Sequence, residues 1–162
     1  MTAPDLARLQ ADADAEGRRC VVGALVRDDH GRVFVHRRGP DRRYLPNGWD
    51  VLGGHVEPGE TLLEALAREL EEESGWQLIG SPELVYVGDW ETDEDGAVIR
   101  RREFDFLVEV AGDLQHPRLE WPQHTEFRWI GEDELSLLDE NGGRDDGIVR
   151  HIVELALGQP PA

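Results

Sequence analysis

The stretch from Gly54 to Trp76 leaves its backbone few choices. Gly53, Gly54, Pro58 and Gly59 mark a turn. Thr61, followed three residues later by Glu64, has the spacing of a capping box, and Gly75 supplies a stop. Between Thr61 and Gly75 the chain is Leu-, Ala- and Glu-rich with no Pro or Gly, which predicts a helix. At about 100° per residue, Leu63, Leu66, Ala67 and Leu70 fall on one arc and should face a core. Glu69, Glu72 and Glu73 fall on a neighbouring arc, because offsets of three and four share a face. Three carboxylates crowded there repel one another, and a hard divalent cation relieves the repulsion. Oxygen-only ligands with no nearby Cys point to Mg²⁺ or Mn²⁺ rather than zinc. Arg68 sits beside this face and Glu60 lies at the helix entrance, so the pair is expected to tie the glycine loop to the helix.

Residues 1–17 carry Leu6, Leu9 and Ala13 at helical spacing and form a short helix or an arm, a candidate homodimer contact. Residues 19–27 read as a buried strand and Val33 to Arg37 as a second, pairing as a hairpin across the turn at Asp28 to Gly31. Gly48 to Leu52 is a third short strand that delivers the chain to Gly53. After the predicted helix, Leu84 to Val87 alternates, and Thr92 to Gly96 reads as a turn. Residues 98–110 are the clearest strand: Phe104, Phe106, Val108 and Val110 alternate against Glu103, Asp105 and Glu109. His124 to Ile130 is the last strand, and Glu132 to Leu135 begins a short helix. Asp145 or Asp146 caps a final helix with the apolar face Ile148, Val149, Ile152, Val153 and Leu157. Strands, a helix, strands and a final helix make an α+β chain with α/β/α layering.

Arginines in and beside the loop after the second strand, Arg37, Arg42 and Arg43, suit phosphate recognition, since guanidinium forks match phosphate oxygens. Tyr44 and Trp49 are candidates to stack on a base or to pack in the core or at its rim. The run Arg100-Arg101-Arg102 is a second basic patch, which reads as a solvated strand end or as a reach toward substrate, with Arg102 the candidate. The 162 residues have a net charge of −18, which excludes a general nucleic-acid binder but not a small phosphate substrate whose cations invert the local field. No segment approaches the roughly 20 apolar residues that span a membrane. The single Cys20 lies in an apolar run and reads as a structural thiol. With no signal peptide in the N-terminal residues, the expected compartment is the cytoplasm.

From Gly54 through Glu60 to Arg68-Glu69-Leu70-Glu71-Glu72-Glu73-Ser74-Gly75-Trp76, the chain resembles the Nudix box, G-x5-E-x7-R-E-U-x-E-E-x-G-U, with U a bulky apolar residue. Trp76 stands where an aliphatic residue is usual. The resemblance implies a mixed sheet between the box helix and the C-terminal helix, with residues 18–158 as one Nudix domain. It implies Mg²⁺-dependent hydrolysis of a pyrophosphate bond in a nucleoside diphosphate linked to another group, with Mn²⁺ as a substitute. Carried over by position, Glu69, Glu72 and Glu73 are metal ligands, joined by the backbone carbonyl of Gly53. Glu60 supports the metal shell and Arg68 orients the carboxylates.

In some family members a Glu of the box is the general base. In others it is a Glu on a later loop, and the matching residue here is Gln123, which cannot serve. Glu120, Glu126 and Glu69 remain as candidates. Thr92 stands where ADP-ribose pyrophosphatases often carry a Pro, and the accessory motifs of the coenzyme A and NADH subgroups are missing. These differences favour a nucleoside triphosphate or damaged nucleotide over ADP-ribose, a nucleotide sugar or a dinucleoside polyphosphate. Two readings of other classes are an isopentenyl diphosphate isomerase, for which Cys20 lies too early, and a non-enzymatic nucleotide-binding sensor, which would usually have a broken box.

Overall fold

A computed structural model describes residues 2–144 and 146–160, without the side chains of 142–144. The chain runs α1 (Ala3–Ala15), β1 (Arg19–Val26), β2 (Val33–Arg38), β3 (Trp49–Asp50), β4 (Leu52–His55), α2 (Leu62–Ser74), β5 (Gln77–Glu94), β6 (Ala97–Ala111), β7 (His124–Ile130), a 3₁₀ helix (Glu132–Arg144) and α3 (Ile148–Leu157). The strands form two sheets, ordered β4-β1-β6-β5 and β3-β2-β7. All pairs are antiparallel except β1 with β6, so the larger sheet is mixed.

The expected hairpin of the first two strands does not form as a ladder. β1 and β2 meet at a single bridge, Arg27 to Val33, and then enter different sheets. The expected third strand is likewise split at Val51: Trp49 and Asp50 pair with β2, and Leu52 to His55 pair with β1. One short strand thereby staples the two sheets together. Gly53 and Gly54 consequently lie in β4, and the turn before the helix is confined to Pro58 and Gly59. The turn expected at Thr92 to Gly96 is shorter, because β5 runs on to Glu94 and Asp95-Gly96, both at positive φ, close a two-residue hairpin.

The first core lies under α1 and α2 and includes Val22, Phe34, Leu66, Leu70, Phe104 and Phe106. The second lies under α3 and includes Val35, Trp49, Ile130, Val149, Ile152 and Val153. Since the larger sheet is covered on both faces, β6 does not alternate apolar against solvated. Asp105, predicted on a polar face, is fully buried. The buried stripe of α2 is centred on Leu62, Ala65, Leu66 and Leu70, with Leu63 only partly covered.

At the N-terminus, α1 is a complete helix with its own capping box from Thr2 and Asp5, and Leu6 and Ala13 pack in the first core. On α3 the cap position is taken by Gly147 rather than Asp146, while Asp145 lies outside the described residues. Cys20 is buried, and burial pushes its thiol up to about 11, consistent with a structural role. Among the described residues no helix is long and apolar enough to cross a membrane.

Candidate active site

β4 and α2 build the site together. Thr61 Oγ1 accepts from the Glu64 N–H and the Glu64 carboxylate accepts from the Thr61 N–H, both at 3.2 Å, which fixes where α2 starts. Gly75, at φ 78°, ends it by accepting the left-handed backbone that side chains avoid. The helix then projects Arg68, Glu69, Glu72 and Glu73 toward β4.

The predicted Arg68–Glu60 bridge is present and bidentate, at 2.8 and 2.9 Å. The same guanidinium donates to the His55 carbonyl at 3.0 Å and to Glu69 Oε1 at 2.9 Å. One side chain therefore holds the turn, β4 and a site carboxylate in register. Arg68 draws the Glu60 carboxyl down to about 2.

The two glycines of β4 make room for this arrangement. A Cβ on Gly54 would stand 2.5 Å from the Glu69 carboxylate. On Gly53, at φ 154°, it would stand 2.0 Å from the Val22 carbonyl oxygen. The Gly53 N–H instead donates to Glu73 Oε1 at 2.7 Å. Glu73 is only 5% exposed. Burial raises its pKa well above the carboxylate range, against the Gly53 hydrogen bond, and the charges of Glu69, Asp50 and Glu120 add to the rise. Burial likewise pushes Glu69 up to about 7, opposed by Arg68 and helped by Glu72 and Glu120. These carboxylates thus share a strained negative field into which an oxygen-preferring cation fits.

A cleft of about 680 Å³ opens in front of them. Gly53, Glu69, Glu72, Glu73 and Glu120 are in its lining, whereas Glu126 lies on β7 in an ion pair with Arg37, outside the lining. Arg42, Arg43 and Tyr44 also line the cleft. Tyr44 stacks on Trp90 at 5.0 Å, with the Arg38 guanidinium 5.6 Å over its ring. Arg37 does not reach the cleft; it donates to the Asn47 carbonyl at 2.9 Å.

Two sequence candidates are corrected. Trp49 is 1% exposed, sits in the second core and donates Nε1–H to Glu140, so it has no face for a base. Arg102 pairs with Asp89 and Glu16 outside the cleft. Alternation along β6 puts Arg102 on the face of Phe104 and Phe106, while Arg101 shares the other face with Glu103. Arg101 is therefore the arginine of this run that lines the cleft, and the sequence reading, which named the run, singled out Arg102 instead. The Arg101 guanidinium lies 5.0 Å over Trp90, donates to Glu94 at 2.8 Å and to Thr92, and reaches His55 Nε2 at 3.1 Å. The signal was present, since the middle of three consecutive strand arginines must face opposite its neighbours.

The NUDIX domain profile matches residues 17–152 of this chain. The chain belongs to the Nudix family. It is 31% identical over 134 residues to the nucleoside triphosphatase NudI of Escherichia coli K12, covering 76% of this chain and 89% of that protein. The MutT Nudix hydrolase of Burkholderia pseudomallei superposes with a TM-score of 0.63 at 25% identity, over 89% of this chain and 98% of that one. The MutT protein of Methanosarcina mazei Go1 shares the fold, with a TM-score of 0.65 at 23% identity over 86% and 92% of the two chains. This Nudix protein is accordingly a pyrophosphohydrolase, and Nudix enzymes act on small nucleotide substrates.

Proposed function

We propose that this Nudix hydrolase cleaves a pyrophosphate bond of nucleoside triphosphates, canonical or damaged, with Mg²⁺ as its cofactor and Mn²⁺ as a substitute. The observation that carries the reading is a cleft lined by the box carboxylates together with Arg42, Arg43 and Arg101. The nucleoside triphosphatase NudI, similar over 76% of the chain, supports the substrate class. The cation would be held by Glu69, Glu72, Glu73 and the Gly53 carbonyl. Bound there, it would neutralise phosphate charge and acidify a water.

The chain's own residues do the remaining work. Arg42 and Arg43 pair with phosphate oxygens and Arg101 fixes the wall behind them. Tyr44 and Trp90, stacked on each other, bound the cleft with their ring edges, against which a base would pack. Arg68 holds Glu69 in place through the anchor on Glu60 and the His55 carbonyl. Glu69 or Glu120, both in the cleft, accepts a proton from the attacking water, whose oxygen bonds to phosphorus as the P–O bond to the bridging oxygen breaks and phosphate or pyrophosphate leaves with that oxygen. Glu69 is favoured, because it lines the cleft and Arg68 fixes its position. We assign catalysis to residues 18–158 and place it in the cytoplasm, where such substrates are held.

A product screen tests this. Phosphate and pyrophosphate release would be followed with Mg²⁺ and with Mn²⁺ for canonical and oxidised nucleoside triphosphates, ADP-ribose, nucleotide sugars and dinucleoside polyphosphates. Preferential turnover of one triphosphate is the expected result. Preference for a nucleotide sugar or ADP-ribose overturns the substrate class, and nucleotide binding without any turnover returns the sensor reading.

A further inference from the structure

His36, His124 and Glu73 form a buried cluster behind the cleft, with 1%, 2% and 5% exposure respectively. One ligand atom from each lies within 4.8 Å of the other two. The imidazole rings stack in parallel, with centroids 3.6 Å apart and planes 9° apart. His36 Nε2 lies 3.2 Å from the Val51 carbonyl, so Nε2 carries the proton and Nδ1 presents a lone pair. That Nδ1 has no partner. His124 Nε2 approaches Glu73 Oε2 to 3.3 Å but is misaligned, leaving both His124 nitrogens without a hydrogen bond.

Burying a polar atom without a partner costs free energy. Two apolar side chains would fill the same space without that cost. The arrangement makes chemical sense if something occupies the lone pairs. We propose that His36, His124 and Glu73 bind a divalent cation of the later transition series, Zn²⁺ or a relative of it, at a buried site adjoining the carboxylate site. Two imidazoles and one carboxylate suit such a cation and are poor ligands for Mg²⁺. The charges of Glu69, Asp50 and Glu120, which bear on Glu73, favour a cation there. Parallel planes cannot aim two in-plane lone pairs at one point, so one ring turns out of the stack to bring each nitrogen to about 2.1 Å from the metal. Because Glu73 belongs to both sites, filling the buried one withdraws a carboxylate from the Mg²⁺ site and suppresses Mg²⁺-supported turnover.

Co²⁺ serves as the probe, since nitrogen-ligated tetrahedral Co²⁺ absorbs in the visible. Titration into the full chain in excess Mg²⁺ should give one equivalent of absorbing Co²⁺, bleached by Zn²⁺. His36→Gln retains a donor for the Val51 carbonyl, and it should weaken Co²⁺ binding at least roughly 100-fold while keeping Mg²⁺-supported turnover. Glu72→Gln should lose turnover and keep the absorption, which separates failure of this site from failure of the proposed activity. Anomalous diffraction from wild-type crystals soaked in Zn²⁺ covers the case in which a variant does not fold, and should place the ion among the three side chains. Absorption that persists in folded His36→Gln, that Mg²⁺ displaces, or that never develops overturns the proposal, as does a water molecule in place of the ion.

Discussion

Glu73 joins the backbone of β4 to the carboxylate site, with Oε1 on the Gly53 N–H. Glu73→Gln and Glu72→Gln should therefore abolish metal-supported turnover, read as kcat with Mg²⁺ binding measured in parallel. Arg68→Gln should act less directly, lowering kcat about 10- to 100-fold as expected for a residue that orients ligands. Unchanged turnover in the Glu variants would remove them from the site. Asp105 supplies a test outside the cation site. Burial holds its carboxyl well above the usual range, with Glu103 next in effect and Asp50 adding. The folded state therefore keeps a proton that the unfolded chain releases. The stability this gives is full below the unfolded value of about 3.9 and is lost as pH rises through the raised folded value. Asp105→Asn should remove a slope approaching about 1.4 kcal/mol per pH unit from urea-unfolding stability measured upward from pH ~5. Parallel curves for the two proteins would contradict this. Neither Asp105 nor Arg101 was placed from the sequence. Period two shows which residues share a strand face, but it does not show that both faces of this sheet are covered.

At the scale of elements, α2 was legible because local rules agree on it: capping box, stop glycine, anchor pair and carboxylate arc all lie within one turn-helix segment. The pairing of β1 and β2 was not legible, since two adjacent apolar strands separated by a turn look alike whether they share a ladder or part into two sheets. The glycines of β4 yield paired predictions. Gly53→Ala meets backbone, the Val22 oxygen at 2.0 Å, at a φ unsuited to a side chain, and should cost roughly 2 kcal/mol or more in thermal or urea unfolding. Gly54→Ala meets only the movable end of Glu69 and should lose turnover with a smaller loss of stability. Equal destabilisation by both would show that the Glu69 carboxylate cannot move aside, and unchanged turnover in Gly54→Ala would show that it is not held against Gly54. Thr61→Ala should cost about 1 kcal/mol, the usual value of an N-cap.

At the scale of the whole molecule, two cores on either side of one mixed sheet bring distant segments to a single cleft: the loop with Arg42 to Tyr44, β4, α2, the β5–β6 hairpin and Glu120. Such long-range assembly is invisible to local patterning, which is why the cleft's carboxylate end was read from sequence and its Trp90–Arg101 wall was not. The first helix also belongs to the assembly. Leu6 packs in the first core, and Gln10 Nε2 donates to the Glu60 carbonyl at 2.8 Å, at the entrance of the box helix. Removing residues 2–15 should cost on the order of 2 kcal/mol or more, from the exposure of one leucine and its surroundings. The most direct test of the account is turnover of nucleoside triphosphates by wild type and Glu72→Gln side by side across a Mg²⁺ titration. Wild-type turnover should rise from zero with Mg²⁺ and saturate, with none above background in the variant. Turnover without Mg²⁺, or equal turnover by the variant, would contradict it.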